Sequence, residues 1–167
     1  MSELDTVLAD NRAAVDELVR AAEAAHANWS TPADRGKWSP AQVVEHVARS
    51  LEEAAKLVSG KPHRLPKAPV ILRPLMRLVF HRTARTGEFP KPKTKTTPEL
   101  DPESGPATPA DAKARLEAAL ATFERACRER EGQMAFSESF GRVQVEDYAR
   151  FTAAHTRHHT RQIPVVI

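Results

Sequence analysis

The chain has 167 residues, a single cysteine and a formal net charge of +3. That length suits one domain, residues 1–167, able to bury a core unaided, and the lone Cys127 excludes an intramolecular disulfide, so a reducing, cytoplasmic setting is expected. No apolar run approaches the roughly 20 residues of a bilayer span, and the start, Met1-Ser2-Glu3-Leu4-Asp5, is acidic where a secretory leader would be basic.

In chain order, residues 3–28 form the first predicted helix. Leu4, Val7, Leu8, Val15, Leu18, Val19, Ala22 and Ala25 recur at helical spacing, and Ser30-Thr31-Pro32 ends the run. The second helix opens at Ser39, an N-cap candidate. Pro40 suits its first position and Gln42 completes a capping box. Val43, Val44, Val47, Leu51, Ala54 and Val58 make its apolar stripe, and Gly60-Lys61-Pro62 closes it.

The stretch 61–110 reads as a long crossover insertion. Residues 61–97 carry ten Lys/Arg against one acid, Glu88, and residues 90–109 carry six prolines. Such a proline content excludes a regular helix or a central strand there. A short extra helix is expected at about residues 68–84. A third helix begins at Thr108-Pro109-Ala110-Asp111, with Ala112, Leu116, Ala119, Leu120, Phe123 and Cys127 on its buried side. Ser137 to Gly141 is a turn, and a fourth helix runs from about Val143 to Gln162. No segment shows a convincing period of two, so an all-α fold is expected. Four amphipathic helices with one long link predict a four-helix bundle.

Four of the seven histidines carry chemical interest: His46 on the second helix, and His155, His158 and His159 on the fourth. His155 and His159 are one turn apart and share a face. At about 100° per residue, Tyr148, Thr152 and Gln162 fall on the same sector, which faces the core through Val145 and Ile163. Two core-facing imidazoles are costly unless something satisfies them, and a divalent ion such as Zn, Ni or Fe does so. His46, at the flank of its stripe, is the candidate third ligand; a half-buried histidine bonded to a backbone carbonyl is the alternative for it. His158, at the rim of the sector, is expected beside the ligands, with Gln162 and Tyr148 lining the pocket or bonding between helices. Glu45 is expected in solvent. Arg73 and Arg77, four residues apart, are candidate contacts for an anionic group, with solvent exposure as the alternative.

The segment from Trp38-Ser39-Pro40 to His46-Val47-Ala48 resembles the first signature of the DinB/YfiT-like superfamily, a Trp-Ser/Thr start followed by a helix that reaches His. The run His155-Thr156-Arg157-His158-His159-Thr160-Arg161-Gln162-Ile163 resembles its second, His-x-x-His-His-x-x-Gln-Ile. The resemblance implies an up-down-down-up bundle, a homodimer, and a metal held by His46, His155 and His159. It also implies a metal-dependent hydrolase, or a transferase using a low-molecular-weight thiol, acting on a small-molecule substrate. The alternative is a non-enzymatic dimeric binding or structural module, of stress-related type. The long basic link departs from the minimal pattern. Its apolar residues, Ile71 to Phe80, could lie on a membrane surface, but a bundle cap or dimer interface is preferred. Nucleic acid has only charge to favour it and is not expected as a partner.

Overall fold

The first helix begins where Ser2 caps it. The Ser2 hydroxyl accepts from the Asp5 amide while the Asp5 carboxylate accepts from the Ser2 amide, a reciprocal pair that satisfies two otherwise orphaned donors. A computed structural model describes residues 1–90 and 96–164. In it α1 spans Glu3–Ala24, α2 Pro40–Val58, α3 Arg73–Thr86, α4 Pro109–Glu129 and α5 Val145–Thr160. Single 3-10 turns follow α1 and precede α3 and α4. The fold is therefore mostly helical, with an extra helix, α3, in the crossover.

Each start has a local cause. At α2 the Ser39 hydroxyl accepts from the Gln42 amide, the Gln42 side chain accepts from the Ser39 amide, and Pro40 occupies the first turn. At α4 the Thr108 hydroxyl accepts from the Asp111 amide. Helix α3 stops at Gly87, whose φ of 71° is left-handed and costs a glycine little.

Helix α2 lies along α4, α1 lies along α5 and also meets α4, and α3 lies on α5. Leu8, Leu18, Val44, Leu116 and Phe123 are all fully buried between them. Each such side chain contributes roughly 1.5–3 kcal/mol of transfer free energy. Cys127 belongs to this core, and burial, reinforced by Glu146, pushes its thiol up to about 12. Arg115 of α4 binds both Glu45 and Glu52 of α2. Glu45 is thus an interhelical acceptor rather than the solvated side chain expected from its place off the apolar stripe.

The all-α expectation is corrected by a hairpin. Strand β1, Met134–Ser137, pairs antiparallel with β2, Gly141–Gln144, in the register Ala135↔Val143. Ala135 and Val143 are buried while Phe136 is half exposed. The alternation is real, but each strand has only four residues, and its inward side is a small alanine opposite one valine. The period-two signal is too short to stand out between two helices. The Ser137 hydroxyl accepts from the Ser139 and Phe140 amides and closes the turn.

Helix α3 braces this hairpin. Arg73 Nε donates to the Glu138 carbonyl at 2.8 Å, and Arg77 Nη1 to the Arg142 carbonyl at 2.7 Å. The outer side of the segment stays open: Ile71, Leu75 and Leu78 are 86%, 60% and 67% exposed. Among the described residues, no helix is long and apolar enough to cross a membrane.

Candidate metal centre

Three histidines from two helices converge. His46 projects from α2, and His155 and His159 project one turn apart from α5. One nitrogen from each lies within 4.8 Å of the other two. The ring centroid of His46 is 4.4 Å from that of His159 and 5.5 Å from that of His155. His46 and His159 are buried, while His155 keeps an accessible edge.

Neighbours set which nitrogen of each ring is free. His46 Nδ1–H donates to the Leu100 carbonyl at 2.7 Å, so its Nε2 carries a lone pair. The carbonyl bond expected as the alternative for His46 is present, on a ring that is fully rather than half buried, and it leaves the other nitrogen free. His159 Nδ1–H donates to Gln162 Oε1 at 2.9 Å, again freeing Nε2. Gln162 Nε2 in turn donates to His158 Nε2 at 3.3 Å. His158 stands behind the pair, joined to His159 through Gln162.

The Nε2 atoms of His155 and His159 are 3.1 Å apart. With His159 Nε2 left as an acceptor, His155 Nε2–H is the donor between them, and a metal would displace that proton. Two imidazoles on a tetrahedral ion, with metal–nitrogen bonds of about 2.0–2.1 Å, have nitrogens about 3.3 Å apart. The α5 pair is already near that spacing, and the spread of the full triad is somewhat wider. Protonation is disfavoured throughout. Burial, then His46, pushes His159 down to about 3. Burial, then His159 and His46, holds His155 well below the usual imidazole range. Burial likewise lowers His46, although its Leu100 bond opposes this. Neutral imidazoles with fixed tautomers are the form that ligates a metal, so the donor set fits a divalent ion.

The crossover returns over α2 to hold this arrangement. The Trp38 ring sits 4.6 Å from His46 and 5.9 Å from His159, and its Nε1–H donates to Asp101. Gln42 Nε2 donates to the Pro102 carbonyl, and Trp29 Nε1 to the Pro106 carbonyl. Gly105 passes so close that a Cβ there would lie 2.0 Å from the Ala41 oxygen.

The histidines open onto a cavity of about 1260 Å³. Tyr148, Gln162 and His158 line it as well. Burial raises the Tyr148 hydroxyl far above its usual range, so it stays a neutral phenol. Arg73 and Arg77 do not line the cavity; their donors are engaged by the hairpin carbonyls. Sequence reasoning missed two elements of the site. One is the Leu100–Asp101 strap, whose backbone acceptor has no sequence signature. The other is Ser50, which follows His46 by one helical turn and could have been found by that spacing.

A family model described as "Protein of unknown function (DUF1569)" matches residues 4–164. No curated protein and no solved structure matches the chain. The chain belongs to the DUF1569 family, which is grouped in the DinB-like clan.

Proposed function

We propose that this DUF1569 chain is a metal-dependent enzyme of the DinB-like kind, an up-down-down-up four-helix bundle formed by α1, α2, α4 and α5. His46, His155 and His159 are its ligands for a divalent ion, zinc, nickel or iron. The observation that carries the reading is the pairing of three neutral imidazoles, two with their tautomers held by Leu100 and Gln162, with a large cavity on their open side.

Three protein ligands leave a coordination position for a reactant. An ion held there supplies Lewis acidity, lowering the pKa of a nucleophile, either water or a low-molecular-weight thiol. The remaining work falls to the chain. Trp38 packs against the His46 and His159 rings from the cavity wall. Gln162 holds His159 in orientation and ties it to His158 through its amide. The only acidic residue lining the cavity among the described residues is Asp34, at some remove in sequence from every ligand. The reading carries a homodimer with it, for which the uncovered face of α3 is the available surface.

The test is metal analysis of the purified protein beside His46→Ala, His155→Ala and His159→Ala. The wild type should hold one ion per chain and each variant should lose most of it. Equal metal content in all four would overturn the centre. Cobalt loading then separates enzyme from closed structural site: a visible spectrum that shifts on adding a small thiol requires an exchangeable position, and an unresponsive one favours the non-enzymatic module.

A further inference from the structure

The cavity is larger and more apolar than a small polar substrate requires. At about 1260 Å³ it exceeds the roughly 300–1,000 Å³ of common ligand pockets. Five partly buried apolar residues pack against the core, and four of them, Trp38, Leu65, Phe140 and Phe151, line this cavity. They are incompletely covered because they face it. Met76 and Val79 of α3 supply a further apolar wall. Burying such surface is worth about 25 cal/mol per Å², a gain the chain leaves unmade here.

Polar groups join this lining near the histidines, Thr152, Thr156, Tyr148 and Gln162 among them, and one, Ser50, is buried without a partner among the described residues. Ser50 lines the cavity one turn after His46 and is only 8% exposed, yet its Oγ has no hydrogen-bond partner among the described residues. A helical serine commonly bonds back to the preceding turn. An unsatisfied buried hydroxyl is costly to the fold, so a ligand that satisfies it gains affinity.

Resting on the metal-centre reading above, we propose that the site takes an amphiphile. Its head ligates the ion at the histidine end and accepts a hydrogen bond from Ser50. Its body is an alkyl chain lying against Phe140, Phe151, Met76 and Val79.

The probe is a series of straight-chain hydroxamates, from acetohydroxamate through hexanohydroxamate to decanohydroxamate, titrated into the metal-loaded protein. Affinity should rise about fourfold per added methylene, the equivalent of ~0.8 kcal/mol per buried CH₂, until the apolar arm is filled. Ser50→Ala should weaken every member about two- to tenfold without changing metal content or the slope with chain length. Val79→Trp, or Met76→Trp as its independent partner, should flatten the slope and leave acetohydroxamate unaffected.

A flat series on metal-loaded wild type overturns the amphiphile while leaving the metal centre standing. Loss of slope in Ser50→Ala, or no effect of it at all, removes Ser50 from the proposal. Metal-free protein is titrated in parallel with the matching alkanols by displacement of a fluorescent naphthalene sulfonate. A chain-length slope abolished by Val79→Trp supports the apolar arm even if the protein holds no metal; a flat series there overturns it.

Discussion

At the scale of single residues, the histidine cluster depends on groups that lie outside it. Gln162 reads as a polar residue at the end of a helix, yet it fixes the His159 tautomer by accepting from Nδ1–H. Removing such an outer partner typically costs 10–100-fold in metal affinity. Gln162→Ala should therefore weaken metal binding by about that factor in competition with a chromophoric chelator, while still reaching full occupancy at saturating metal. Undiminished affinity would show that His159 needs no orientation. The three histidines themselves were legible because an i,i+4 pair on a core-facing sector is costly without a purpose, and because the Trp38-to-His46 motif supplied a third. The Leu100 carbonyl was not legible. Every residue carries such an acceptor, and only the path of the chain decides which one meets His46.

At the scale of elements, a capping box announced α2 and the Thr108 N-cap announced α4, because a helix start has a local chemical cause. The turn from Ser137 to Gly141 is legible, but the two short strands beside it have no comparable signal, and Arg73 and Arg77, expected either on an anion or in solvent, instead meet hairpin carbonyls. The crossover looked like a loop, and its return over α2 came from long-range contacts that composition does not record. Its tightest point is Gly105. A Cβ there would lie 2.0 Å from the Ala41 oxygen, backbone that cannot swing aside. Gly105→Ala should cost roughly 1–3 kcal/mol, the range for overpacking, read as a lowered urea midpoint. It should also weaken metal binding, because the same strap presents Leu100 to His46. A variant as stable as wild type would show that the strap has slack.

At the scale of the whole molecule, the buried imidazoles make the metal-free fold acid-sensitive. His159 titrates at about 3 when folded against 6.5 as a model group, and His155 and His46 shift in the same direction. Between those values the unfolded chain binds more protons than the folded one, so stability rises with pH there. The contribution is fully present above about 6.5 and is lost progressively as pH falls towards 3. Urea midpoints of the metal-free protein should drop between neutral pH and about pH 5, and His159→Phe should drop less. Identical slopes would place the acid sensitivity elsewhere.

The hydrogen bond from His46 to Leu100 spans 54 positions of sequence, and with a metal on the triad, as proposed above, it makes the crossover and the ion thermodynamic partners. Linkage is reciprocal: whatever the strap adds to metal affinity, bound metal returns to the closure of the strap. The crossover also offers trypsin seven sites, the Lys/Arg between residues 61 and 97 that no proline follows. Saturating metal should slow the first tryptic cut in that stretch, and His46→Ala should abolish the protection. A cleaved chain, conversely, should release its metal more readily. A long connection that looks dispensable would then act as the latch on the ion, and a nick in it would register at the histidines.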